Sequence, residues 1–288
     1  MVYRTQFGGR RMRGRRMRGG GGFRWPLMLV FAIGAAVYYF ANQEEVPITG
    51  RKQLRTMSVD AEMQLGLQSY RQILSDSEVI TSGPVVETVN EIGRRIARAA
   101  DDVDPGFDWA FNVIRSDQAN AFALPGGYTA VYTGLLKVTE NEDQLATVMA
   151  HEVGHALAHH GAERMAQQNM QRIVGTGVAM GAGGMDYGAQ QAVMGVFGGI
   201  SQYGFALPFS RKHESEADYI GLLLMAEACY DPREAPKLWE NMKAAGGGAA
   251  PPEFQSTHPS ADTRINDFQT WMPEAIDIYN ANCPGRIG

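Results

Sequence analysis

The chain has only two cysteines, no acid in its first 43 residues and no apolar run of 20 residues. Cys229 and Cys283 are too few for a zinc–thiolate centre or a disulfide framework. They can pair only with each other, in an oxidising compartment, across a span of 54 residues. Eight arginines before residue 44 face no carboxylate, while the rest of the chain holds 18 basic against 31 acidic residues. The net charge of −5 therefore hides a basic tail on an acidic body, and such a body carries no nucleic-acid footprint. No nucleic-acid partner is expected. Apolar content of 44% and charged content of 20% are those of a globular chain long enough for a real core.

The N-terminal region reads as an address. Residues 1–24 form the basic tail, and Trp25 to Ala41 run 17 residues without a charge. That is the short end of a membrane-spanning helix. Arginine before it and Glu44-Glu45 after it orient the tail to the cytoplasm. The expectation is a single-pass membrane anchor, with the acidic body on the side of the membrane away from the tail. A cleaved signal peptide is the rival, although Tyr39 then stands where a small residue is preferred. The tail can meet RNA but more simply meets anionic lipid. Residues 42–57 read as a linker and 58–288 as one folded domain.

Within that domain Ser58 is placed to cap a helix reaching about Leu74, with Asp60 and Glu62 in its first turn. Pro84 opens a second helix, in which Val85, Val89, Ile92 and Ile96 recur at helical spacing. The period then switches to two: Phe107, Trp109, Phe111 and Val113 mark a half-buried strand. Asn120, Ala121, Phe122, Ala123 and Leu124 lead through Pro125-Gly126-Gly127 into a second short strand. Proline is tolerated there only at an edge or a turn, so the hairpin belongs at a sheet rim. Such an edge can pair with an extended peptide, although it can equally just close the sheet.

The segment that carries chemistry is His151-Glu152-Val153-Gly154-His155. Histidines four apart lie on one helix face, where one metal can take both, and the Glu between them can take a proton from water. Thr139 and Glu142 are spaced as a capping box for this helix, which is expected to run on to about Ile173. His159 lies another four residues along, about 6 Å further up the axis. Structural or supporting roles are therefore expected for His159 and His160. From Ile173 to Ser210 there is one charge and much glycine, read as a weakly helical flap near the site that can touch membrane or substrate. Glu214 and Asp218 share one face of a later helix and Glu216 does not. Glu214 suits a third metal ligand and Asp218 a carboxylate behind a ligand histidine. A solvated acidic helix start reads equally well from those residues alone. His258, before Pro259, sits in a loop, ahead of a last helix with Arg264.

Together NAFALPGGYTAVYTGLL, EDQLATVMAHEVGHALAHHGAER, LPFSRKHESEADYIGL, YDPREAPKLWENM and STHPSADTRI resemble the gluzincin family that contains HtpX, BepA and the CAAX prenyl proteases, peptidase family M48. The likeness covers roughly residues 55–270 and is strongest to the bacterial branch with a short anchor, which implies a single-pass protein of a bacterial cell inner membrane with its metallopeptidase domain (58–288) on the periplasmic side. It implies an α+β, mainly α, zincin-like fold with a small sheet and an edge hairpin beside the metal-motif helix. It implies one Zn2+ per subunit on His151, His155 and Glu214, with Glu152 as general base. It implies Asp218 and His160 behind the ligands, and His258 and Arg264 stabilising the transition state or gating the metal. Cys229 departs from the pattern, which usually has glycine there. The expected function is zinc-dependent cleavage of unfolded or misassembled envelope polypeptides, with residues 120–124 binding substrate. The alternative is a zinc-stabilised chaperone or scaffold that binds chains without cutting them. No oligomeric state follows.

Overall fold

The computed structural model describes residues 24–185, 187–199, 207–245 and 261–285. The architecture is mainly helical, with a small sheet beside the metal-motif helix, as expected. Helix α1 (Trp25–Ala41) begins with proline in its first turn. Among the described residues no helix is long and apolar enough to cross a membrane. The expected transmembrane span over 25–41 is corrected accordingly. Its 17 residues rise only about 25 Å, short of a hydrocarbon core of roughly 30 Å.

One face of α1 lies against α5 (His160–Ala182). A Cβ at Gly177 would meet the Phe31 ring, and one at Gly181 would meet Met28. The glycines expected to make a flap are therefore, in part, the seat of α1. The remainder of that stretch forms α6 (Tyr187–Gly199), and residues 186 and 200–206 lie outside the described residues.

Residues 42–57, read as a linker, contain an antiparallel pair, β1 (Gln43–Glu45) and β2 (Lys52–Leu54). Val46, Gln53 and Leu54 are buried. Strands of three mostly polar residues leave no alternation to read, so the pairing is invisible in the sequence.

Helix α2 (Val59–Ser75) is capped as expected, Ser58 Oγ accepting from the Ala61 amide at 3.3 Å. Helix α3 (Pro84–Ala99) buries Val89, Ile92 and Ile96, while Val85 faces outward. A four-stranded sheet follows in the order β3 (Val79–Ile80), β4 (Ala110–Ile114), β6 (Tyr128–Tyr132), β5 (Ala121–Leu124). β4 and β6 are parallel; β5 and β6 are the expected antiparallel hairpin, registered Ala121 to Val131 and Leu124 to Tyr128. Gly126 and Gly127 turn the chain with φ of 90° and 85°, which glycine takes without a Cβ clash. β5 is an edge strand of this sheet, as the proline after it suggested.

Helix α4 (Glu142–Leu157) carries the metal motif and is buried along nearly its whole length. Its cap is Asn141, whose side chain accepts from the Gln144 amide at 2.8 Å. The Thr139 hydroxyl instead donates to the Leu135 carbonyl, so the Thr139–Glu142 box does not form. Nor does α4 continue to Ile173. The chain breaks at His159, whose φ of 52° is left-handed, and restarts as α5.

Helix α7 (Leu207–Glu227) crosses α4 at very close range. A Cβ at Gly154 would lie 2.9 Å from the Ala217 carbonyl oxygen, and one at Gly221 would lie 2.8 Å from the His151 amide nitrogen. Two glycines thus let the backbones touch. Helix α8 (Glu234–Ala245) packs on α4, and α9 (Ala261–Asn282) packs on α7 and α8. A disulfide between Cys229 and Cys283 joins the ends of α7 and α9. Cys229 has φ of 61°, which explains why glycine would suit that position.

The crossing predicts the behaviour of Gly221→Ala. The added methyl meets backbone that cannot step aside, so the variant should lose about 1–3 kcal/mol. Thermal unfolding checks this, and an unchanged midpoint would mean that the crossing has slack.

Candidate metal centre

The crossing places three side chains from two helices around one point. His151 and His155 Nε2 lie 3.1 Å apart. Glu214 offers Oε2 to His151 and Oε1 to His155, each at 3.5 Å. All three groups have ligand atoms within 4.8 Å of one another. Tetrahedral bonds of about 2.0–2.1 Å demand ligand separations of roughly 3.3–3.4 Å. The triangle therefore matches a small divalent cation. His151 and Glu214 side chains are 2% and 5% exposed and His155 is 15% exposed, so the centre opens to solvent on the His155 side.

Each ligand histidine has a backing group. Asp218 Oδ1 lies 2.9 Å from His151 Nδ1, which turns the Nε2 lone pair towards the centre. Asp218 is itself gripped by Arg264 through Nε and Nη2, and Arg264 Nη1 reaches Glu214 Oε2 at 3.3 Å. The guanidinium stacks 3.5 Å from the Trp239 ring. Burial would raise the Asp218 pKa, but the Arg264 charge and the His151 hydrogen bond hold it below the ordinary range. Burial and Arg264 push His151 down, but hydrogen bonds to Asp218 and Glu214 carry it up to about 9. A histidine so surrounded by carboxylate favours a cation beside it. Arg264, expected to stabilise the transition state or gate the metal, bonds Asp218 and Glu214, and its Nη2 also lies 2.9 Å from His151 Nδ1.

On the other side, His155 Nδ1 meets His160 Nδ1 at 2.7 Å. A straight helix would turn position 160 away from 155; the left-handed break at His159 brings it back. His160 Nε2 bonds Glu216 at 2.9 Å, and burial pushes His160 down to about 4, so it is neutral at ordinary pH. His159 is structural, its Nδ1 3.0 Å from Glu62. His258 lies outside the described residues.

Glu152 projects beside the ligands and accepts the Ala123 amide of β5 at 3.2 Å. Residues 120, 122 and 124 turn towards β6, and Ala121 and Ala123 turn outward, as the Asn120–Tyr132 bond and the register require. The expected substrate strand, Asn120 to Leu124, is therefore joined to the expected base.

Sequence reasoning missed a second buried network. Glu216, read as turned away from the ligand face, accepts from Thr49 and from Arg51 Nε. Arg51 also clamps Glu163 through both terminal nitrogens, and His213 Nε2 lies 3.0 Å from Glu163. The available signal was that three carboxylates crowd residues 214–218 and must be paired if buried.

The family model for peptidase family M48 matches residues 86–272. The chain is 38% identical to "Mitochondrial metalloendopeptidase OMA1" of Schizosaccharomyces pombe, over 91% of this chain and 77% of the relative. It is 32% identical to the protein of the same name from Saccharomyces cerevisiae, over 91% and 78%. It is 30% identical to "Beta-barrel assembly-enhancing protease" of Escherichia coli, over 84% of this chain and half of the relative. The expected bacterial branch is thus one of several matches. The expected location, a single-pass protein of a bacterial cell inner membrane, is overturned. The more similar relatives are named as mitochondrial proteins, and no described helix can span a bilayer.

The Glu163 network predicts acid sensitivity. Burial would raise this carboxyl, but hydrogen bonds from His213 and Arg51 bring it from 4.5 to about 2. A depressed folded-state pKa contributes stability that is complete above about pH 4.5 and lost as pH falls towards 2. Removing that coupling with Glu163→Gln should flatten the acid limb by on the order of 2 kcal/mol. Urea unfolding of both proteins at pH 7 and pH 3 measures it.

Proposed function

We propose, from the premise that this chain belongs to peptidase family M48 and is a metalloendopeptidase, that it holds one zinc ion on His151, His155 and Glu214. It cuts polypeptides laid as an added strand along β5. The observation that carries this reading is the bond between Glu152 and the Ala123 amide, which sets base, edge strand and ligand triangle side by side.

Two neutral imidazoles and one carboxylate are the donor set of a peptidase zinc with an open position. Zinc held there supplies a Lewis acid for the scissile carbonyl and acidifies water. Glu152 takes the proton and hands it to the leaving amine, the task for which its place on the motif helix suits it. The outward peptide group of Ala121 offers main-chain hydrogen bonds to an extended substrate. Recognition through backbone favours chains that are unfolded or misassembled, since a folded domain does not release a strand. Asp218 and His160 fix the ligand tautomers, and Arg264 holds Asp218 and Glu214 in place. His258 completes the assignment as a group that stabilises the oxyanion or caps the metal at rest.

Glu152→Gln tests the reading. It should keep stoichiometric zinc and lose casein cleavage by at least about a hundredfold. Cleavage retained would remove Glu152 as the base, and casein bound but uncut by the wild-type protein would favour a chaperone. Dialysis against a strong chelator should abolish cleavage and zinc should restore it, because without the metal Glu152 faces water of ordinary acidity.

A further inference from the structure

We propose that Arg51, in the turn joining β1 to β2 and outside the stretch matched by the family model, is a positioning residue for the metal. It acts on His155 through Glu216 and His160. The inference rests on His151, His155 and Glu214 being the ligands.

The argument follows the protons. A histidine that gives Nε2 to a metal must keep its proton on Nδ1. His155 Nδ1 lies 2.7 Å from His160 Nδ1, so His160 must accept there and carry its own proton on Nε2. That proton points at Glu216 Oε2, 2.9 Å away, which accepts it. The order His155 to His160 to Glu216 therefore has one allowed sense, and it ends on a carboxylate that is almost fully buried. A buried carboxylate is costly unless a charged partner holds it. Arg51 is that partner. Its Nε donates to the same Glu216 oxygen at 2.7 Å.

The guanidinium is held in register by its other end. Nη1 and Nη2 donate to Glu163 at 3.1 and 2.7 Å, and Glu163 is fixed by His213, the neighbour of Glu214. His213 stacks on His160 with ring centres 4.3 Å apart. One planar fork thus spans two carboxylates from two helices, a role that a lysine, with a single nitrogen, cannot fill. The result is a carboxylate–histidine–histidine arrangement that raises the donor strength of His155 and fixes its ring.

The test compares the full-length chain with Arg51→Gln, Arg51→Lys, Arg55→Gln and His155→Ala. Arg55→Gln is the charge-loss control on the same segment, since Arg55 pairs with Glu44 and lies 3.6 Å from Glu62 but bonds neither Glu216 nor Glu163. Zinc affinity is read by competition with a chromophoric chelator, ligand geometry by the visible absorption of the cobalt-loaded protein, and folding by thermal unfolding without metal. Arg51→Gln should bind zinc about 10- to 100-fold more weakly and shift the cobalt bands. Arg51→Lys should fall between, and Arg55→Gln should match wild type. Should Arg51→Gln not fold, Arg51→Lys decides by the same measures. Wild-type affinity and spectrum in a folded Arg51 variant would overturn the proposal, as would an equal loss in Arg55→Gln. If His155→Ala keeps its zinc, the ligand assignment itself falls. If it loses zinc while the Arg51 variants do not, only the role of Arg51 falls.

Discussion

The contact on which the rest of the structure depends is backbone on backbone, where α4 crosses α7. Gly154 lies against Ala217, and Gly221 lies against the His151 amide. No side chain stands between the helices at these points, so the ligands they carry need span little distance. Ligand atoms 3.1 to 3.5 Å apart follow from that approach. A helix pair at an ordinary 8–10 Å separation would leave Glu214 short of both histidines. The fourth residue of the metal motif is thus glycine for packing, while the first, second and fifth are there for chemistry.

Around this crossing the protein repeats one device with different parts. His151 is backed by Asp218 and Asp218 by Arg264. His155 is backed by His160, then Glu216, then Arg51. Each ligand imidazole therefore ends on a carboxylate and each carboxylate on a guanidinium. The two arginines come from opposite ends of the chain, one before α2 and one on α9. Such buried pairs add little net stability over apolar packing, but leaving one member alone is expensive. Their effect is to make the folded core tolerate only one arrangement of the ligands.

Much of this was legible in the sequence. Histidine spacing, the shared face of Glu214 and Asp218 and the Pro-Gly-Gly turn are local patterns, and local patterns survive translation into structure. What was not legible depends on partners far apart in the chain. The break at His159 has no glycine or proline to announce it, and without the break His160 could not face His155. Asn141 and Thr139 compete for the same helix start, and only the packed structure chooses. Arg51 sits in a polar segment that resembles a linker until its carboxylates, more than a hundred residues away, are placed around it. The 17-residue apolar run was misread for a different reason. Its composition suits lipid, but its length does not reach across a bilayer, and part of its surface is covered by glycines of α5.

The bond between Glu152 and Ala123 has a geometric consequence. A peptide that zips along the outer edge of β5 finds the Ala123 amide already taken, so its ladder has to stop there. Where an added strand must stop is a fixed point on the molecule, and it lies beside the ligand triangle. Under the proposed function, the position of the cut would be counted in backbone rungs from that stop, a measure of length along the chain.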